Sequence, residues 1–419
     1  MNCRRATSLS ITASALALLA ASPAAAQQTH GAIPVGNGLS IDPIIDARLR
    51  YEGVDQPVLE ADAVTLRLRA GAELRHAPSN LSLLAEAEGT LAVSEDYNAF
   101  PFPLTTSGQY RPGFSTVADP ESIELNRLQI QYRTRSLTLT AGRQRINLDD
   151  QRFVGSVGWR QNEQTFDAVR AESVIGPITV DATYAIGQNP VFGSEAGPRR
   201  HVDGNFAFLN AGAKLGPIGI KAFGYLLDFD ENWAFSNSSQ TYGARAGGAI
   251  PLTPAIKLNL LASYARQSDL GGNPRDYTAD YVLAEAGLGY AGFTLTGGYE
   301  KLGADADGGA AFQTPLATLH KFNGWADLFL TTPATGLQDG YVTLAKAFPG
   351  VAALPGLNAN VTHHRFHSDI GGIEYGDEWD ASVGFRVGQV AMLAKYADYH
   401  ARSFGADKQI VWLQAELAL

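Results

Sequence analysis

The chain has 419 residues, a formal net charge of −10, 45% hydrophobic and 18% charged side chains, and one cysteine. The acidic balance argues against a nucleic-acid partner, which calls for a basic face. A lone cysteine, Cys3, leaves no disulfide framework, and from residue 27 onward no apolar run is long enough for a transmembrane helix.

In chain order, the first element is a leader. Arg4 and Arg5 precede an apolar run over 9–21 that closes on Ala24-Ala25-Ala26. A basic start, a short apolar stretch and a small-residue cleavage site predict a secretory signal peptide over 1–26, and Cys3 leaves with it. Residues 27–419 are then expected to form one exported domain.

That domain opens on period-two alternation. "AVTLRLRAGAELR" (63–75) places Val64, Leu66, Leu68, Ala70, Ala72 and Leu74 on one parity, against Thr65, Arg67, Arg69, Gly71, Glu73 and Arg75. The pattern recurs in "PIIDARLRYE" (43–52), "RLQIQYR" (127–133) and "PITVDATYA" (177–185). A soluble β-sandwich also alternates, but its strands average about five or six residues. Strands of ten or more, with long charged side chains on the polar face and Tyr51, Tyr132, Tyr184 and Tyr264 near the tips, predict an outer-membrane antiparallel β-barrel. Closure leaves no edge and satisfies every backbone group in lipid.

Connections sort into tight turns (77–80, 134–136, 175–177, 216–217, 251–254, 291–292, 388–389) and long loops (94–122, 147–164, 187–205, 229–239, 268–276, 302–318). The two kinds alternate, as periplasmic turns and outer loops do. A raw count gives nineteen strands, which parity forbids. Counting back from 408–418 makes 338–347 a descending strand, so 319–336 joins one long outer loop, 302–337. Eighteen strands remain, with both termini periplasmic.

Several motifs fail on context. "GLGYAG" (287–292) matches a dinucleotide fingerprint but opens a strand instead of the helix that the fingerprint needs. In "HHRFH", alternation puts His363 and His367 on one face and His364 on the other, so the three do not converge on a metal. "DFDEN" (228–232) starts like a calcium loop, yet Trp233 stands where that loop wants glycine. No nucleophile elbow appears, so no catalytic residue, cofactor or metal is expected.

The remaining signal is charge within the barrel. Alternation sends Arg48, Arg50, Arg67, Arg69, Arg127, Arg133, Lys214, Lys221, Arg245, Lys257, Arg386 and Lys395 inward, facing Asp46, Glu52, Glu73, Glu86, Glu88, Asp181, Glu285, Glu300 and Asp380. Such groups either pair across a wet lumen or form an anion-selective lining, and an interior network does both.

"AGRQRINLDDQRFVGSVGWRQNEQTFDAVR" (141–170) resembles the signature of the alginate export family of outer-membrane barrels. The resemblance continues in "HKFNGWADLF" and "GLQDGYV" (320–342), "EYGDEWDASV" (374–383) and "KYADYHARSFGADKQIVWLQ" (395–414). It implies an eighteen-stranded channel passing an anionic uronate polysaccharide through an arginine-lined constriction shaped by inward-folding loops. Carried over, the substrate-facing residues are Arg143, Arg145, Arg152, Arg160, Asp167 and Arg170, joined by the lumenal Arg67, Arg69, Arg127 and Arg133. Strict parity sets Arg143 and Arg145 with Leu137 and Leu139, so a bulge near Gly142 is expected to turn both arginines inward.

The expected product is a monomeric channel in the outer membrane of a Gram-negative bacterium, embedded in lipid and passing an anionic solute. A general or small organic-acid porin is the alternative, and a barrel hydrolase using Ser368 a more distant one. The long apolar periplasmic turn "FPGVAALPGL" (348–357) is a candidate docking point for a periplasmic export partner or a gating point, with a stiff turn as the plainer alternative.

Overall fold

The computed structural model describes residues 32–418, so the expected signal segment, 1–26, lies outside the described residues. After a short lead-in strand, Ile33–Gly36, eighteen wall strands follow in sequence, with one separate two-residue hairpin (Ala304–Asp305 with Ala310–Ala311) in the loop after the thirteenth. They are β1 (Leu39–Asp55), β2 (Glu60–His76), β3 (Leu81–Asp96), β4 (Ser122–Arg133), β5 (Leu137–Gln144), β6 (Thr165–Ile175), β7 (Ile178–Asn189), β8 (Val202–Leu215) and β9 (Ile218–Phe229). The second half comprises β10 (Ser239–Pro251), β11 (Ile256–Asp269), β12 (Thr278–Tyr290), β13 (Phe293–Leu302), β14 (Leu337–Ala347), β15 (Asn358–His367), β16 (Glu374–Val387), β17 (Val390–Ala401) and β18 (Lys408–Ala418).

Every neighbour pairs antiparallel, and β1 pairs with β18 from Asp46↔Ala418 to Asp55↔Gln409, closing the sheet into a barrel. The parity argument holds: β13 ends at Leu302, β14 starts at Leu337, and 319–336 lies in the loop between them.

The barrel is inside out relative to a soluble protein. Leu68, Leu83, Ile130, Leu209, Leu295 and Leu413 are exposed on the outer wall, while Arg67 and Glu378 are wholly buried within. Lipid is the solvent that makes this arrangement stable. Near the outer rim the tyrosines tie down their own hydroxyls: Tyr51 donates to Asp62 at 2.6 Å, Tyr184 to Asn205 at 2.5 Å and Tyr264 to Asp280 at 2.8 Å. An apolar ring with an anchored polar tip suits the membrane interface.

Leu68 stands midway along β2 on the lipid face, whereas Asn259 on β11 faces the lumen opposite Gly287. Leu68→Arg should therefore cost about 2–4 kcal/mol and Asn259→Arg almost nothing. Denaturant titration of the protein folded into lipid vesicles checks this. Equal costs would contradict the assigned faces.

Candidate functional site: a loop-built constriction in the barrel

The segment 145–164 leaves β5 and runs through the interior. Gly142, at φ +113°, begins the inward turn, and a Cβ there would meet the Leu128 carbonyl oxygen at 2.3 Å. Asp149 then pairs with Lys221 of β9, and Asp150 grips Arg245 of β10 through two contacts of 2.7 Å. Arg152 reaches Glu300 of β13 at 2.7 Å, Thr314 at 3.0 Å and Asn323 at 3.0 Å. Phe153 packs on Phe223, Tyr225, Tyr281 and Phe312.

The chain then returns to the opposite wall. Arg48 of β1 donates to the Gly158 carbonyl oxygen at 3.0 Å, and Arg50 to that of Trp159 at 2.5 Å. Arg160 pairs with Glu52 at 3.2 Å and Asp327 at 2.8 Å, and Gln161 donates to Thr65 of β2 at 2.8 Å. Asn162 accepts from Thr90 of β3 at 2.9 Å, and Glu163 binds both Arg69 (2.6 Å) and Arg145. Contacts on β1, β2, β3, β9, β10 and β13 mean that this one segment partitions the lumen.

Two further outer loops cement it. From 97–121, Asp119 accepts from the Gln161 backbone N–H at 2.7 Å and faces Arg50 at 3.4 Å. From 303–336, His320 stacks on Trp159 with ring centroids 4.6 Å apart and bonds Asp327 through Nδ1 at 2.9 Å. Lys395 of β17 donates to His320 Nε2 at 2.8 Å while its ammonium lies over Trp159 (3.9 Å) and Trp325 (3.8 Å). Cations on indole faces gain most where water is excluded.

The loop is also held against local preference. Asp149, Gln151 and the β-branched Val157 all take positive φ, which costs on the order of 1–3 kcal/mol each and persists only where the surroundings impose it.

Electrostatics explain why so much charge tolerates burial. Burial would lower the Arg160 guanidinium, but Glu52, Asp119 and Asp327 overcome it and hold it above the ordinary arginine value. Burial would raise Glu163, yet Arg145 and Arg69 pull it down to about 2. His320 goes the other way: burial outweighs Asp327 and drives it down to about 3, so the imidazole is neutral.

The structure distributes the expected pore residues over distinct roles. Arg67, with Asp46 and Glu416, and Arg69, with Glu88 and Glu163, face inward but are buried in ion pairs. Arg152 and Arg160 are likewise buried and serve as loop anchors. Arg127, with Glu86, Arg145, with Glu163 and Glu86, and Arg170, with Asp181, keep side-chain exposures of 12%, 25% and 15%. Arg133 is exposed at the periplasmic end of β4.

The expectation for Arg143 and Asp167 is corrected. Arg143 stands opposite the lipid-facing Leu128, and its guanidinium pairs with Asp167 at 2.8 Å on the outer wall. The inward turn acts one residue too late for it: β5 ends at Gln144, which is buried, and Arg145 is the first arginine carried into the lumen.

His363 and His364 part as alternation predicts: His363 lies against Trp379 on the outer face, and His364 bonds Asp339 within. Ser368 donates to the Ile370 carbonyl oxygen at 2.8 Å and accepts from the Ile373 N–H at 2.8 Å, so a turn occupies its hydroxyl.

Sequence reasoning missed Asp119, Glu163, His320 and Asp327. They lie in loops without periodicity, and the contacts that tie them to distant parts of the chain span 42 positions (Asp119 to Gln161) to 167 (Asp327 to Arg160).

A family model described as alginate export matches residues 45–273. Among solved structures, OccAB3 of Acinetobacter baumannii superposes with a TM-score of 0.68 at 13% identity, covering 90% of this chain and 99% of that one. OccK9 (OpdG) of Pseudomonas aeruginosa gives 0.69 at 14%, covering 91% and 98%. OpdK of Pseudomonas aeruginosa, crystallised with vanillate, gives 0.68 at 13%, covering 90% and 98%. A search of curated proteins finds no match.

Proposed function

The chain belongs to the alginate export family and is a channel of the Gram-negative outer membrane; from that premise we propose that it passes ring-bearing carboxylates, uronate saccharides foremost, by diffusion. One observation carries the reading. Arg127, Arg170, Lys221 and Arg245 on the wall from β4 to β10, with Arg145 and Lys321 from the inward loops beside it, form a set of partly water-accessible cations. Across the lumen, β13–β16 carry hydroxyls and a carboxamide, Thr296, Thr343 with Thr362 at 2.9 Å, and Asn360 with Ser382 at 2.7 Å, beside the buried carboxylates Glu300, Asp339, Glu378 and Asp380.

A uronate sugar carries both matching groups, a carboxylate for the cations and hydroxyls for the far wall. Each guanidinium has five N–H donors, and its acidic partner uses only some of them, so a passing carboxylate finds donors already in place. The same partner keeps the grip weak enough for release, as conduction requires. A smaller aromatic acid is the second reading, favoured by the vanillate complex of OpdK. Hydrolysis has less support, because the turn that holds Ser368 leaves its hydroxyl without a base.

The test is reversal potential under a salt gradient in planar bilayers. Wild-type pores should select anions, and Arg170→Ala with Arg245→Ala should lower the anion preference several-fold, leaving Asp181 and Asp150 unpaired. Only charges within about a Debye length, roughly 10 Å at 0.1 M salt, count at the narrow passage. A cation-selective wild type ends the anionic reading. Current blocks by a mannuronate oligomer but not by vanillate, or the reverse, decide between the two solutes.

A further inference from the structure

At the outer mouth, above the constriction, four loops enclose a cavity of about 570 Å³. That volume lies within the usual range for small-molecule sites. Its walls come from 230–238, 270–277, 303–336 and 402–407, so it opens to the exterior and not to the periplasm.

The lining has a definite chemistry. Arg275 is the sole charged residue in it, with no carboxylate among the lining groups. Among the described residues Arg275 has no ion-pair partner; its backbone N–H donates to Asn273 Oδ1 at 3.0 Å and its guanidinium makes no hydrogen bond. Asn237 adds a carboxamide, and Leu330 and Phe404 add apolar surface. Phe404 is held rigid by stacking on Phe329, with centroids 5.2 Å apart and planes 19° from parallel.

The base is equally fixed. Gln313 accepts from the Thr332 N–H at 3.1 Å and donates to the Thr332 carbonyl oxygen at 2.8 Å, while its own N–H donates to Gln267 of β11 at 2.8 Å. The pocket therefore stands on the same loop, 303–336, that braces the constriction below.

We propose that this cavity is an entry subsite that captures the carboxylate of a ring-bearing solute arriving from outside the cell. The free guanidinium takes the carboxylate bidentately, the flat apolar surface of Phe404 and Leu330 takes the ring, and Asn237 takes a hydroxyl. A saccharide uronate and an aromatic acid share this chemistry. The proposal rests on the anionic-solute reading and gives it a side: an outer collecting site serves uptake.

Calorimetry on the detergent-solubilised full-length protein tests it with three probes: a mannuronate trimer, vanillate and the neutral maltotriose. At least one ring carboxylate should bind, maltotriose should not, and Arg275→Gln should weaken the binding about tenfold, the scale of one hydrogen-bonded charge pair. In bilayers the bound probe should interrupt current only when added on the outer side. Which carboxylate binds identifies the source. Equal binding by wild type and Arg275→Gln, binding of maltotriose as tight as that of the acids, or no binding of either acid overturns the proposal. A cation-selective wild type that still binds the acid through Arg275 would fault the selectivity reading and not this site.

Discussion

Replacing residues 147–162 with a short Gly-Ser linker is expected to raise single-channel conductance several-fold and to strengthen anion selectivity. The first effect follows from the segment's path. It touches β1, β2, β3, β9, β10 and β13, and its Phe153 and Trp159 side chains fill interior volume that water and ions would otherwise occupy. The second follows from its partners. Excision removes Asp149 and Asp150, which neutralise Lys221 and Arg245, and takes away the backbone carbonyls that occupy Arg48 and Arg50. Two arginines leave as well, but both are anchors buried in carboxylate pairs and contribute little to the open passage.

The single substitution Arg152→Ala separates anchoring from blocking. It strands Glu300, buried, without its cation, and breaking a buried pair from one side costs about 3–5 kcal/mol. The loop should then flicker, so brief events of higher conductance should appear above the wild-type level. A steady wild-type conductance in both variants would mean that the segment does not govern the passage.

How much of this was legible beforehand depends on the kind of order each residue obeys. Arg67 and Arg69 could be placed because β2 alternates without interruption through the membrane, and lipid tolerates no slip of register there. Parity alone sent 319–336 out of the wall. Arg143 was misplaced by the carried-over resemblance, which sent both arginines inward: alternation set it with Leu137 and Leu139 on the outer wall, where the Asp167 pairing keeps it, and only Arg145, past the strand end, swings in. Trp159, His320 and Lys395 meet through three separate elements, and no spacing in the sequence encodes that meeting. The resemblance gave the arginines of this segment one common role. The structure divides them among anchors, lining residues and an outer-wall pair.

The knot around His320 supplies the second large effect, a conductance that rises as the outside turns acidic. His320 Nε2 accepts from Lys395 Nζ and Nδ1 bonds Asp327, so the ring must stay neutral to keep both contacts. Burial holds its pKa at about 3, below the roughly 6.5 of a free histidine. A released loop therefore binds a proton that the closed loop cannot, and the closed state loses stability as pH falls from about 6.5 toward 3. The limiting slope is about 1.4 kcal/mol per pH unit, or tenfold in the open-to-closed ratio. Glu163 works in the same direction but lower: its stabilisation is complete above the ordinary carboxylate pKa of about 4.3 and fades only as pH falls toward 2. Between pH 6.5 and 4.5 His320 thus acts alone of the two. Bilayer recordings across that window should show open events becoming more frequent by about tenfold per unit at the steepest, and His320→Gln should flatten the dependence while leaving the conductance at pH 7 nearly unchanged. A wild-type channel indifferent to pH 5 would mean that the Trp159–His320–Lys395 contact does not hold the loop shut.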